Sequence, residues 1–394
     1  RERTMASLLL SVIYLAFVSL GLPDALLGSA WPVMQGALNA PLSLAGAVSM
    51  VISGGTILSS LLSDRMTRKL GAGLVTALSV LMTAAALLGF SLCSAPWMLI
   101  LWAVPYGLGA GAVDAALNNY VALHYSSRHM SWLHCMWGVG ASISPFIMSL
   151  ALQRGWGWQM GYRSVSYIQL ALTALLFLSL PLWKKRTNET AESNESVEPA
   201  KRQSIGQLLR LPGVPLILLT FFGYCAMEST AGLWASSYLV NARGVEVETA
   251  ARFASLYFLG ITLGRFLNGF IADRFGDKTM IRAGLGLAAV SILIILLPWQ
   301  LCPLIGLVTL GIGSAPIYPC IIHSTPESFG RENSQAIIGV QMASAYIGST
   351  FMPPLFGLIA QHGSIGFYPV YLMIFAVLMI VLYGLFTKGQ GKKT

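Results

Sequence analysis

Residues 7–62 contain one charged side chain, Asp24, and residues 70–127 contain one more, Asp114. Residues 211–242 again hold a single charge, Glu228, and residues 283–326 hold none. Apolar stretches of this length constrain the fold more than any motif does. A helix needs about 20 apolar residues to cross the hydrocarbon of a bilayer. There, only helices and closed barrels satisfy every backbone hydrogen-bonding group. Of the 394 residues, 55% are hydrophobic and 10% are charged, whereas soluble domains are about 25% charged. The chain therefore reads as an all-α membrane protein with little room for a soluble domain.

Hydropathy places twelve spans. Six fall near 6–35, 42–63, 70–93, 96–125, 130–152 and 160–183, and six near 212–241, 247–272, 278–299, 301–326, 334–361 and 364–387. Residues 184–210 separate the two sets. They read KKR, then TNETAESNESVEPAKRQS, a polar and charged composition that cannot bury a core and is expected to be a flexible linker. The expected organisation is an N-terminal six-helix half (1–183), a cytoplasmic linker (184–210) and a C-terminal six-helix half (211–394).

The basic residues set the expected orientation. With the N-terminus inside and the spans alternating, 19 of the 24 Lys and Arg fall in cytoplasmic segments. Arg154, Arg163, Arg243 and Arg252 fall outside, and Arg265 lies within a span. This bias follows the positive-inside rule and puts both termini and the linker in the cytoplasm of an inner-membrane protein. It also accounts for the formal charge of +9 without a nucleic-acid partner.

The halves repeat. Asp64-Arg65 after the second span stands opposite Asp273-Arg274 after the eighth. Asp24-Ala-Leu-Leu-Gly28 answers Glu228-Ser-Thr-Ala-Gly232, and Gly107-x-Gly109 answers Gly311-x-Gly313, which puts Tyr318 opposite Asp114. Pro145 likewise answers Pro353. Two related halves with a site at the membrane midplane is a transporter architecture.

Three carboxylates at membrane depth are the candidate working parts. An acid at the centre of a span costs about 2.5–3.5 kcal/mol on insertion scales, and such residues mark proton or substrate pathways. Asp114, Asp24 and Glu228 are the expected proton-coupling residues. Asp114 and Asn118 are four apart and share a helix face, and Asn119 follows. Gly107, Gly109 and Gly111 before them allow a close helix neighbour. Asp24 follows Pro23, which invites a break in the helix. Tyr224, Trp234 and Tyr238 accompany Glu228, and a carboxylate beside aromatic rings suits a sugar's hydroxyls and its C–H face. His134 and Trp137 share a face of the fifth span, and Gln341 occupies nearly the corresponding place in the eleventh. The expected substrate contacts are thus Asp24, Asn118, Asn119, His134, Trp137, Glu228, Trp234 and Gln341. Asn268, Tyr257, Tyr318 and His323 are weaker candidates. Asp64, Arg65, Arg265, Asp273 and Arg274 are expected to form the ion pairs of a gate.

The stretch GRFLNGFIADRFGDKTMIR (264–282) resembles the signature G-x-x-x-D-R-x-G-R-K of the major facilitator superfamily. The N-terminal copy departs from it at Met66 and Thr67. Within that superfamily the chain resembles the fucose permease-like sugar symporters. The likeness rests on GLPDALLGSAWP (21–32), GAVDAALNNYVALHYS (111–126), SWLHCMWGVGASISP (131–145) and YCAMESTAGLWASSYL (224–239). It implies twelve helices in two pseudo-symmetric halves, proton-coupled symport of a monosaccharide, and roles for Asp24, Asp114 and Asn118 or Asn119. The family's fourth-span Glu is Asp114 here, and its sugar-contacting fifth-span Gln is His134.

No phosphate-binding GxxxxGK[ST] loop, HExxH or Cys/His metal spacing is present, so neither ATP-driven transport nor enzyme chemistry is expected. Cys93, Cys135, Cys225, Cys302 and Cys320 read as packing residues without disulfide or metal role. No cofactor is expected. The coupled ion is expected to be H⁺, with Na⁺ the alternative, and a monomer in the lipid bilayer is expected to carry a small molecule. The rival function on the same fold is a proton-driven exporter of drugs or metabolites. The fifth span reads GVGASISP, without the GxxxGP associated with antiporters, which favours uptake.

Overall fold

The computed structural model describes residues 2–124, 127–183 and 204–391. Within those helices, some side chains, among them Asp64, Arg65, Asn118, Asn119 and Asp273, lie outside the described set. Most of the expected linker, 184–203, also lies outside it. Its described end forms a one-turn helix, Ile205–Leu209, closed by a reciprocal capping box between Ser204 and Gln207.

The described residues are helical, with no strand among them. In chain order the helices are α1 (Glu2–Asp24), α2 (Leu26–Ala37), α3 (Leu44–Leu70), α4 (Ala72–Ser91), α5 (Pro96–His124), α6 (Ser127–Gln153) and α7 (Trp158–Leu178). Then come α8 (Ile205–Leu209), α9 (Val214–Arg243), α10 (Val247–Phe275), α11 (Asp277–Leu296), α12 (Cys302–Ser314), α13 (Ile317–Phe329), α14 (Arg331–His362) and α15 (Tyr368–Gln390). Ten described stretches are long and apolar enough to cross a membrane. The other two expected spans are also helical. They correspond to α3, whose apolar part is Leu44–Ser59, and to α7, diluted by Arg163, Ser164, Ser166 and Gln169.

Two of the expected spans are broken. α1 and α2 together make the first, interrupted at Ala25 after Pro23 and Asp24. Pro23 has no N–H to give the carbonyl of Ser19 four residues back. The side-chain amide of Gln169 on α7 donates to that carbonyl instead. α12 and α13 make the tenth span, interrupted at Ala315-Pro316 for the same reason.

Contacts between residues divide the chain into two compact units. The first is Arg1–Ala40 with Val51–Pro199, and the second is Pro41–Met50 with Ala200–Thr394. The second unit thus includes Pro41–Met50, around the start of α3. Within the second unit the Ser43 N–H donates to Gln361 Oε1 at 3.1 Å. Gly46 lies so close to the Pro354 backbone that a Cβ there would come within 2.6 Å of its Cα.

Each unit repeats the same close packing. In the first, Gly107 and Gly111 of α5 lie against the Ile52 and Thr56 carbonyls of α3, and Gly109 against the Ser79 carbonyl of α4. In the second, Gly311 of α12 lies against the Tyr257 carbonyl of α10, and Gly313 against α11 at Ala288. The glycines thus let backbones touch where a side chain would separate them. Gly111→Val is expected to overpack the α3–α5 contact and destabilise the protein by about 1–3 kcal/mol. Thermal melting of the purified protein in detergent checks this, and Gly54→Val, where nothing lies within 4 Å, is the matched control.

Candidate functional site

In the first unit the break after Pro23 places Asp24 at the end of α1, with its side chain exposed. The Tyr106 hydroxyl of α5 donates to Asp24 Oδ1 at 2.7 Å. The Trp137 indole N–H of α6 donates to Oδ2 at 2.8 Å. Both carboxylate oxygens are therefore held by aromatic donors from different helices. Tyr106 is itself buried, 4% exposed, edge-on to Phe90. Its position is set by α5, whose glycines draw it onto α3 and α4. α1 and α6 cross closely as well: Gly21 meets the Trp137 carbonyl and Gly140 meets the Val18 carbonyl. The backbone of Trp137 is thereby fixed against α1 three residues before Asp24.

Asp114 lies on α5, eight residues after Tyr106, or about 12 Å along the helix. It is partly exposed, among the buried Ala112, Val113, Ala116 and Leu117. The side chains of Asn118 and Asn119 lie outside the described residues. His134 is partly buried, with its ring edge-on to Phe17 at 5.7 Å. One helical turn nearer the start of α6, His129 Nδ1 meets the Tyr14 hydroxyl at 3.1 Å.

In the second unit Glu228 of α9 faces Arg265 of α10. Their Oε1 and Nη2 are 3.7 Å apart, with side chains 15% and 7% exposed. Arg265 also donates to the Tyr224 hydroxyl at 3.1 Å and lies 5.6 Å from the Tyr318 ring centre. The Tyr257 hydroxyl donates to the Glu228 backbone carbonyl at 3.3 Å. Arg265 is thus part of a carboxylate–tyrosine cluster within the span, about two turns along α10 from the Asp273-Arg274 pair with which it was expected to gate. Arg274 is exposed and lies over the Phe275 ring at 5.6 Å. The side chains of Asp64, Arg65 and Asp273 lie outside the described residues.

Two expected substrate contacts occupy interior positions. Trp234 is fully buried. Its indole donates to the Pro353 carbonyl at 2.9 Å and its ring meets Phe356 edge-on. Gln341 is also fully buried and shares hydrogen bonds with Thr325 at 3.2–3.3 Å. In this structure the backbone at Pro353 of α14 and Thr325 of α13 use these groups. Trp234→Phe removes the indole N–H and shrinks a fully buried ring system. A loss of about 2–3 kcal/mol in stability with unchanged substrate affinity is expected, checked by melting and by ligand titration.

Tyr106 is the residue that sequence reasoning missed. It precedes Gly107, at the edge of the glycine-rich stretch, but an aromatic side chain in an apolar span reads as packing. The polar chemistry is therefore uneven. The first unit presents a carboxylate held by neutral donors, and the second a carboxylate whose charge is offset by a guanidinium.

The sequence matches the Major Facilitator Superfamily over residues 13–256 and again over 217–393. It is 24% identical to Bypass of stop codon protein 6 of Saccharomyces cerevisiae, over 95% of this chain and 82% of that protein. It is 22% identical to the glucose/mannose transporter GlcP of Bacillus subtilis, over 97% and 94%. It is 24% identical to the sodium-dependent glucose transporter 1A of Mus musculus, over 89% of each. Its fold is similar to the crystal structure of the nucleoside transporter NupG, with a TM-score of 0.74 at 14% identity, covering 96% of this chain and 98% of that one. The matches span both units and all the helices that carry the three carboxylates, so the chain belongs to the Major Facilitator Superfamily and is a membrane transporter rather than an enzyme.

Proposed function

We propose that this transporter is a proton-coupled monosaccharide symporter that works by alternating access. It would act as a monomer in the cell's inner membrane, with both termini in the cytoplasm and no cofactor. The observation that carries the reading is Asp24: a carboxylate at a break in the first span, with one oxygen held by Tyr106 and the other by Trp137. A carboxylate oriented in this way accepts hydrogen bonds from hydroxyls, and an adjacent indole offers a face to a sugar's C–H groups. Two relatives named for glucose transport support the same class.

Asp24 binds sugar hydroxyls, Trp137 lines them, and Asn118, Asn119 and His134 add contacts from the same unit. Asp114 carries the proton: neutralised, it crosses with the sugar without moving a bare charge through a low dielectric. Within the second unit Glu228 is a further candidate for the proton role, with Arg265 balancing its charge.

Uptake of labelled glucose, mannose, galactose and fucose into proteoliposomes, with and without an inward proton gradient, tests the reading. Gradient-stimulated accumulation of one of them is expected. Stimulation by a sodium gradient alone would reassign the ion. Flat uptake of every sugar, with extrusion of dyes or metabolites, would put the exporter in its place.

A further inference from the structure

His323 on α13 and Asp277, the first residue of α11, meet at 2.6 Å between Nδ1 and Oδ2. The histidine is 70% exposed and the carboxylate 15%. Neither residue belongs to the carboxylate clusters described above. The pair lies at the end of the second unit that carries the chain's C-terminus, because Arg282 of α11 donates to Thr387 Oγ1 near the end of α15 at 2.9 Å. On the proposed orientation this end faces the cytoplasm.

The repeat makes the pair unusual. In the register that aligns Asp64-Arg65 with Asp273-Arg274, Asp277 takes the place of Arg68, so the charge is reversed where the superfamily signature has a basic residue. In the register that aligns Gly107 with Gly311, His323 takes the place of Asn119. Both changes together put an acid against an imidazole in one half only.

α13 is a separate half-helix after the break at Ala315-Pro316, and one turn after another it is tied to its neighbours. Tyr318 touches Arg265, and Cys320 exchanges hydrogen bonds with Asn268 of α10 at 3.3–3.5 Å. His323 meets Asp277, and Thr325 meets Gln341. Of these ties only His323–Asp277 joins an imidazole to a carboxylate, so that a proton on the ring changes it from a neutral hydrogen bond to an ion pair. Among the described residues, the other titratable and charged groups near it are Cys320 and the exposed Glu327 on α13, Lys278 and Arg282 on α11, Arg274 on α10 and Tyr383 on α15.

We propose that His323 and Asp277 form a proton-operated latch that holds the α13 half-helix against α11 at the cytoplasmic end of the second unit. A proton on His323 turns the contact into an ion pair and fastens α13. Loss of that proton leaves a neutral hydrogen bond and loosens it. Because α13 also carries Tyr318, acidification on that side bears on the Glu228–Arg265 cluster.

The test does not depend on the transported substrate. Cys320 is 1% exposed and lies three residues from His323 on the same half-helix, so a lifted α13 is expected to expose it. Labelling of Cys320 by N-ethylmaleimide, resolved by peptide mass spectrometry, is compared among the wild type, Asp277→Asn and His323→Lys in the full-length protein at pH 5.5 and pH 8.0. Because Asp277 also acts electrostatically on the Cys320 thiol, deuterium exchange of the α13 backbone amides, corrected for its intrinsic pH dependence, is followed in the same proteins, and variant-to-wild-type ratios must agree in both readouts. Asp277→Asn is expected to label roughly five-fold faster than wild type at pH 5.5, the upper end for an exposed ion pair, and to approach it at pH 8.0. His323→Lys, with a permanent charge, is expected to match wild type at pH 5.5 and to be protected relative to it at pH 8.0. Ratios that do not change with pH, in variants that remain folded by melting, would overturn the latch.

Discussion

Arg265→Gln is expected to destabilise the protein by about 3–5 kcal/mol, the cost of leaving one partner of a buried ion pair uncompensated. Glu228 and Arg265 are 15% and 7% exposed, so water does little to relieve the charge left behind. The substitution also takes the guanidinium's bond from Tyr224 and its contact with the Tyr318 ring. Glu228→Gln/Arg265→Gln removes both charges and is expected to recover more than half of the lost stability. The comparison is a melting experiment on three proteins in the same detergent. Equal melting of wild type and the single variant would mean that the pair is loose and hydrated, and that Glu228 does not depend on its neighbour.

Asp24→Asn is expected to weaken sugar binding by about 10- to 100-fold while leaving the fold intact. The amide keeps the size of the carboxylate but has one acceptor and one donor where there were two acceptors. Either the Tyr106 hydroxyl or the Trp137 indole then faces an N–H instead of an oxygen. Hydrogen bonds to a charged group contribute about 1.5–3 kcal/mol each, which sets the size of the effect. Tyr106→Phe is expected to lose about one such bond, with a smaller rise in the half-saturation constant. Equilibrium binding of the sugar taken up by the wild type, followed by tryptophan fluorescence, separates these variants. Unchanged binding in Asp24→Asn would remove Asp24 from the substrate site.

The sequence made the fold legible because charge is so costly inside a bilayer. Runs with a single acid mark the spans, and the repeated Gly-x-Gly marks the halves. The same glycines lie against the corresponding neighbouring helices in each unit. What it left hidden has physical reasons. Pro41–Met50 lies in a stretch as apolar as its surroundings, and nothing local says that it packs with the second unit. Trp234 and Gln341 show why a polar atom in a span is ambiguous: it can serve a cavity or a kinked neighbouring backbone, and both leave the same sequence. Tyr106 is the converse, a side chain that reads as packing until its hydroxyl is placed against a carboxylate. The location of Arg265 was legible only in part. A lone arginine in a span demands a partner, but the signature stretch around it points toward the loop, whereas the helix carries it to Glu228.

In the proposed transport cycle a proton enters with the sugar. Its most direct test is the external pH of a lightly buffered suspension of proteoliposomes, with no imposed gradient, when the transported sugar is added. Proton-coupled entry raises the external pH at the moment of addition, a change abolished by a protonophore and absent in Asp114→Asn, which is expected still to exchange labelled for unlabelled sugar. Sugar entry with no pH change, or entry that needs sodium instead, would contradict it.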